Sequence, residues 1–290
     1  MTTQSHFTIS FPLKSPADAR AVAELIPALM PELFQAPDNI GTIHYLCFTV
    51  LSEKTLLFLG DFDGAFIQLM SELARQAGPV FDTIFQHVAS ASSTPVADNE
   101  EAFIEWTASH LLGAATLFSA YPEMPASAIK SLASVANIRA GREVNAFLMT
   151  MPIQSGFAFM ELQLLLRSRE YKTQKELAMI NTLHFAQFVP LENNQVGFFT
   201  VYDGPLAKYI ADFTRHIGPV FDLIFKFTKG PPRSPCRKHL QAFIEFAAEA
   251  KRTPIGFYQA YPGLTAQAIH ALIADSDSQS GSSRFEDFAA

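Results

Sequence analysis

Between residues 6 and 12 apolar side chains fall at every second position, with Phe7, Ile9 and Phe11 on one face. A period of two is a strand pattern. The period then lengthens. Val22, Leu25, Ile26 and Leu29 recur at helical spacing behind Ser15, a good N-cap, and Pro16, which suits the first helical position. The spacing predicts a helix to about residue 34, kinked or ended by Pro27 and Pro31. Strands follow over 43–51 and 55–62, joined by a hairpin at 52–54. Helical spacing returns over 65–76, and Gly78-Pro79 predicts a break before a short helix over 79–88. A third helix over 100–112, a strand over 116–121 and a helix over 125–137 complete the series.

The series is then repeated. A shift of 140 residues aligns the chain with itself without a gap, and 28 of the 91 positions from Thr42 to Leu132 are identical to their partners. Gly78-Pro79-Val80-Phe81-Asp82, for example, falls on Gly218-Pro219-Val220-Phe221-Asp222. The doubling predicts two domains, residues 1–139 and 140–274. The Ser- and Asp-rich stretch that follows predicts a flexible tail over 275–290.

Strand, helix, strand, strand, helices, strand, helix is the βαββαβ order of a ferredoxin-like unit, elaborated before its last strand. Such a unit covers one face of its sheet with helices. Here Phe48 and Val50 alternate with Tyr45 and Cys47, and Leu57 and Leu59 with Leu56 and Phe58, so both faces are apolar. The economical cover is the sheet of the other copy. The predicted class is therefore α+β: two tandem ferredoxin-like repeats, with antiparallel sheets packed face to face as a single-chain α+β barrel.

Composition agrees, because 49% apolar residues and 27 Phe provide for two cores and a large contact between them. No run of 18 apolar residues occurs and no basic segment leads into an apolar one, so neither a membrane span nor a signal peptide is predicted, and a cytoplasmic location is expected. The net charge of −7 divides into −8 for residues 1–140 and +1 for the rest. That asymmetry would help two copies of the fold, or two chains, to pair, so a monomer or homodimer is expected. The acidic total argues against nucleic acid. The basic cluster from Lys226 to Lys238 lies in a proline-rich stretch and reads as a solvated loop. Cys47 and Cys236 are not equivalent in the repeat and have no metal-binding spacing.

Two resemblances rest on short motifs. Ile43-His44-Tyr45-Leu46-Cys47-Phe48, the strand ending Phe62-Asp63-Gly64, and Gly78-Pro79 resemble a group of bacterial proteins of the dimeric α+β barrel superfamily, with a pattern near His-Phe-Ala-Arg-Phe and aromatic-Asp-Gly. The Arg of that pattern is Cys47 here and Gln187 in the second copy. Gly60-Asp61-Phe62-Asp63-Gly64 is similar to the Gly-x-x-Asp-Gly of dye-decolorising haem peroxidases. That similarity implies a haem with Asp63 as distal acid and a proximal histidine, for which His239 and His216 are the candidates. The second copy reads Thr200 in place of the first Gly, and no Gln-Pro follows Gly64.

His44 and His184 are the one histidine pair kept in both copies. Each reads as a base or metal ligand on a barrel wall, or as a half-buried histidine with a hydrogen-bond partner. Asp63-Gly64 and Asp203-Gly204 read as helix caps with an unusual glycine dihedral, or as catalytic carboxylates. Tyr121 and Tyr261 place a hydroxyl at a barrel mouth for a ligand, or pack. Asp82 and Asp222 suit the start of a helix, and Arg75 and Arg215 could pair with Glu105 and Glu245.

Three functions follow. The apolar sheets could enclose a small hydrophobic or aromatic molecule. The chain could be an enzyme of the barrel superfamily, with haem or without a cofactor. It could be a structural or interaction module. Symmetry weighs on all three: residues that both copies keep suit the fold, and a single site would be written where the copies differ.

Overall fold

The computed structural model describes residues 4–136 and 143–286, with side chains to residue 276. The first repeat runs β1 (Gln4–Pro12), α1 (Pro16–Ile40), β2 (Ile43–Ser52), β3 (Thr55–Asp63), α2 (Phe66–Phe85), α3 (Glu100–Ser109), β4 (Thr116–Ser119) and α4 (Ala126–Val135). The second runs β5 (Val144–Pro152), α5 (Gly156–Ser168), α6 (Glu170–Leu177), β6 (Leu183–Leu191), β7 (Gln195–Asp203), α7 (Leu206–Phe225), α8 (Leu240–Ala250), β8 (Lys251–Arg252), β9 (Gly256–Gln259) and α9 (Ala266–Glu286). The expected boundary at 139/140 lies outside the described residues.

Two antiparallel sheets form, and the repeat is kept in their register. Gln4 faces Asp63 across β1 and β3, and Val144 faces Asp203 across β5 and β7. One sheet has the order β1-β3-β2-β9 and the other β4-β6-β7-β5-β8. The last long strand of each repeat thus completes the other repeat's sheet: β4 pairs with β6, and β9 with β2. Before crossing, each of these segments touches its own repeat, through Leu111 to Ile9 and through β8 to β5. The crossing segments therefore link the two sheets, giving the predicted α+β barrel.

The alternation sorts the side chains. Phe7, Ile9, Phe11, Phe48 and Phe58 turn toward the helices and bury fully there, as do Phe147, Met149 and Phe198 in the second repeat. Leu57, Leu59, Leu148, Val189 and Phe199 turn the other way and pack sheet against sheet. Each buried Leu or Phe contributes about 1.5–3 kcal/mol of apolar transfer.

One local expectation holds: the helix is interrupted at Gly78-Pro79, where Ala77 leaves the helical conformation (φ −126°, ψ 15°) and divides α2 into two helices, and α7 repeats this at Ile217. Several others change. The α1 helix carries Pro27, Pro31 and Pro37 and ends at Gly41, which takes the left-handed conformation. Arg75 pairs with Glu100 and Glu72, not with Glu105. Asp82 and Asp222 each accept a backbone amide from the following loop, at Val96 and Cys236. α9 continues to Glu286, past the predicted start of a flexible tail; no Pro or Gly interrupts residues 266–280, so the helix seeded by buried Ile269 can propagate. Residues 287–290 of that tail lie outside the described residues. No helix among the described residues is long and apolar enough to cross a membrane.

Candidate functional site

The duplicated histidines, aspartates and tyrosines converge on the junction between the repeats. A bulge in β2 falls at His44, and one in β6 at His184. Such bulges re-aim side chains. His44 Nε2 lies 3.0 Å from Asp63 Oδ1, and His184 Nε2 lies 2.8 Å from Asp203 Oδ1. The other carboxylate oxygens accept the Ala126 and Ala266 amides, the first residues of α4 and α9, at 2.8 and 2.9 Å. Each aspartate therefore caps a helix, although not the one that follows it in sequence; the glycine after it is left-handed, with φ of 96° at Gly64 and 79° at Gly204.

The two halves are then tied across the repeat. Tyr261 Oη lies 2.8 Å from His44 Nδ1, Tyr121 Oη lies 2.9 Å from His184 Nδ1, and the two hydroxyls are 2.9 Å apart. With both aspartates as carboxylates, each histidine donates through Nε2 and accepts at Nδ1. The chain His44–Tyr261–Tyr121–His184 then has three gaps, and its two hydroxyls hold two protons. Tyr45, where the second copy has Phe185, brings a third proton with a fourth contact, so that both histidine nitrogens have a donor: its hydroxyl lies 3.0 Å from His184 Nδ1. Tyr261 can then donate to His44, Tyr121 to Tyr261, and Tyr45 to His184. Burial holds all three tyrosine hydroxyls well above their ordinary pKa. His44, His184, Tyr45, Tyr121 and Tyr261 are each at most 5% exposed, so this cluster is buried at the junction.

A second polar cluster lies between the sheets and belongs to one copy. His6 Nδ1 is 3.0 Å from Asp61 Oδ1 and 2.7 Å from Gln187 Nε2, and His6 Nε2 is 2.8 Å from Thr8 Oγ1. The His6 and Asp61 side chains are 3% and 9% exposed. Gln187 Oε1 is buried without a partner in the protein. The equivalents of His6, Thr8, Cys47, Thr49 and Asp61 are Ala146, Leu148, Gln187, Val189 and Val201. One sheet thus presents a mainly polar inner face to a mainly apolar one. Between them lies a void of ≈ 40 Å³, bordered by His6, Cys47, Asp61, Gln187, Leu148 and Phe199. Burial pushes the Cys47 thiol up to about 12, so it is a poor nucleophile at neutral pH. Asp61, His6 and Thr8 have the order of a carboxylate–histidine–hydroxyl relay, but Thr8 is fully buried and does not border the void.

A third feature opens at the surface. A cleft of ≈ 680 Å³ lies along β4 and α6, floored by Phe118, Ile180 and Phe185 and rimmed by Lys175, Glu123 and His270. Burial, and after it His184, holds His270 below the ordinary histidine value. The equivalent place in the first repeat is narrower, a cleft of ≈ 350 Å³ bordered by Lys130, Ala260 and Pro262. There Phe34 packs edge-on against Tyr258, and Asp38 joins Lys130 Nζ at 2.9 Å to Tyr258 Oη at 2.8 Å. The second repeat has Gln174, Phe118, Ala178 and His270 at those four positions.

Sequence reasoning picks out His44, His184, Asp63, Asp203, Tyr121 and Tyr261, and the fold brings all six together. His239 is not among them; it is the N-cap residue of α8. The haem constellation does not fit. Asp63 has both oxygens engaged within the protein, and the surface cleft it borders does not include His239. Gly60 has a packing explanation: a Cβ there would meet Phe7 Cε1 at 2.5 Å. Among the described residues no three His, Cys, Asp or Glu gather as a metal site. Reasoning from shared motifs misses His6 and Asp61, whereas Gln187 stands out in the sequence as a position where the copies differ, opposite Cys47. The signal for His6 and Asp61 is a polar residue in a strand whose partner 140 residues away is apolar, Ala146 and Val201.

No family model matches the chain, and no curated protein matches it. Solved structures similar to it include a "putative monooxygenase" from Fusobacterium nucleatum, with 8% identity, 90% of this chain and 96% of that one covered, and a TM-score of 0.43. A "putative monooxygenase" from Lactobacillus acidophilus has 8% identity, coverage of 90% and 98%, and a TM-score of 0.34. An "anthrone oxidase-like protein" has 11% identity, coverage of 91% and 96%, and a TM-score of 0.32.

Proposed function

We propose that the chain binds a small, largely apolar molecule between its two sheets, and that His6, oriented by Asp61, exchanges a proton with it. The observation that supports this reading is the His6–Asp61 pair itself. It is buried, it borders a void with apolar walls, and the other repeat has no counterpart. A buried polar pair costs stability unless its groups are satisfied, and Gln187 Oε1 beside it has no partner. Water or a ligand group in the void would satisfy it. The symmetric His–Tyr cluster is instead saturated with internal hydrogen bonds, and we assign it to the junction of the repeats.

In this reading Asp61 holds the imidazole by Nδ1, the ligand takes the place of the Thr8 hydroxyl at Nε2, and Leu148, Phe199 and Val201 line the space beside it. Such a site is an acid–base site that uses the protein's own groups, in line with a cofactor-free enzyme. The test is an absorption titration with 4-nitrophenol, whose ionised form is coloured. Wild-type protein should bind it and shift its ionisation, and His6→Phe should abolish the shift. An identical titration for wild type and His6→Phe would refute the reading.

A further inference from the structure

The void between the sheets and the open cleft share one wall, the ring of Phe185. We propose that the cleft is a second binding region, that it holds the apolar body of an elongated molecule, and that Phe185 swings aside to let the molecule's hydrogen-bonding head reach His6 and Gln187. This proposal rests on the interior reading above and adds the route and the shape of the ligand.

Three observations carry it. The first is size. A void of ≈ 40 Å³ accommodates water, whereas ligand sites commonly measure about 300–1,000 Å³, and the cleft of ≈ 680 Å³ lies in that range. The second is the difference between Phe185 and its repeat partner. Tyr45 is anchored by its hydroxyl to His184. Phe185 occupies the same position without a polar anchor and is held by ring contacts to His44, Tyr121 and Tyr45, at 5.3, 5.5 and 5.7 Å between centroids. A ring held by dispersion alone has less to break on rotating. The third is that the cleft is about twice as large in one repeat. In the first repeat Phe34, Asp38, Lys130 and Tyr258 take up part of the equivalent space and leave ≈ 350 Å³, so the wider side is the one whose wall residue is unanchored.

The lining also describes the ligand. The floor is aromatic and aliphatic, and the rim carries one lysine, Lys175, and one glutamate, Glu123, so neither sign of charge is favoured. The body is therefore uncharged and apolar. The head carries hydrogen-bonding groups for an imidazole and for the unpartnered end of the Gln187 amide, such as a hydroxyl, which both donates and accepts.

Cys47 borders the void and is itself partly exposed, so it labels at a basal rate to which the passage adds. The experiment is reaction of the folded protein with methyl methanethiosulfonate, read as separate labelling rates of Cys47 and of Cys236, which is fully buried in the other repeat. Phe185→Ala should raise the Cys47 rate on the order of tenfold and leave Cys236 unchanged. Ala178→Trp, an exposed position lining the cleft, should lower the Cys47 rate toward the part set by that thiol's own exposure. If Phe185→Ala labels both cysteines equally, that variant has unfolded, and Ala178→Trp decides. An unchanged Cys47 rate in Ala178→Trp overturns the route.

A parallel arm uses N-phenyl-1-naphthylamine, an apolar fluorophore with one N–H. Its fluorescence gain with wild type should be lost in Ala178→Trp and weakened in His6→Phe. If the cysteine rates behave as expected and His6→Phe binds the dye as wild type does, the interior reading fails while the passage stands.

Discussion

Tyr121 and Tyr261 occupy equivalent places in the two repeats, and their hydroxyls meet 2.9 Å apart at the junction between them. Each also reaches the histidine of the opposite repeat. A symmetric chain of this kind lacks one proton, and Tyr45 supplies it from outside the symmetry. Tyr45→Phe should therefore destabilise the fold by about 1–3 kcal/mol, because a buried histidine nitrogen or hydroxyl is left without a donor. Urea unfolding of the two proteins measures the difference, and equal midpoints would remove the proton-count argument.

The same burial predicts alkaline behaviour. Tyr45, Tyr121, Tyr209 and Tyr261 are all held above their ordinary pKa by burial. A tyrosine whose folded pKa exceeds its unfolded value of about 10 contributes stability that is present below that pH and lost as pH rises toward the folded value. The phenolate absorbance of these four should thus appear together with loss of helical circular dichroism. Their ionisation in a folded protein would contradict the burial.

At the acid end, Arg75 and Ser71 hold the Glu100 carboxyl down at about 2. The sign is opposite: the contribution is present above the unfolded value, near about 4.3, and is lost as pH falls toward the folded one. Glu100 is largely solvent-facing, so the effect on stability is small and the direct readout is its carboxyl chemical shift. Arg75→Ala should raise the midpoint of that titration toward the ordinary value. An unmoved midpoint would show that the guanidinium is not the cause.

Gly60→Ala should cost about 1–3 kcal/mol, because the added methyl overlaps the Phe7 ring and the strand cannot relax without moving its neighbours. Thermal unfolding checks it. A neutral result would mean that packing does not explain the glycine.

Much of this architecture is legible in the amino-acid sequence. Doubled motifs announce two copies, and strands apolar on both faces announce that the sheets cover each other. His44 and His184 stand out by being kept twice, and they do prove to be partners in one cluster. The exchange of β4 and β9 is not legible, because periodicity fixes which face a strand buries and not which sheet edge it joins. The interruption at Ala77 is legible, because Gly78-Pro79 carries strong turn signals, and the helix that restarts is held by buried Val80, Phe81 and Ile84. His6 and Asp61 are hidden for a different reason. The apolar face of β1 defines its period, and polar residues on the other face look like solvent-facing positions until the second sheet covers them.

The central claim is that the space beside His6 is a ligand site. A crystal structure of the protein grown with 4-nitrophenol tests it most directly. The account predicts density for the ring between the sheets, with its oxygen within hydrogen-bonding distance of His6 or Gln187 and with Phe185 displaced into the cleft. Phe185 in place, with the phenol absent or bound elsewhere on the surface, would contradict it.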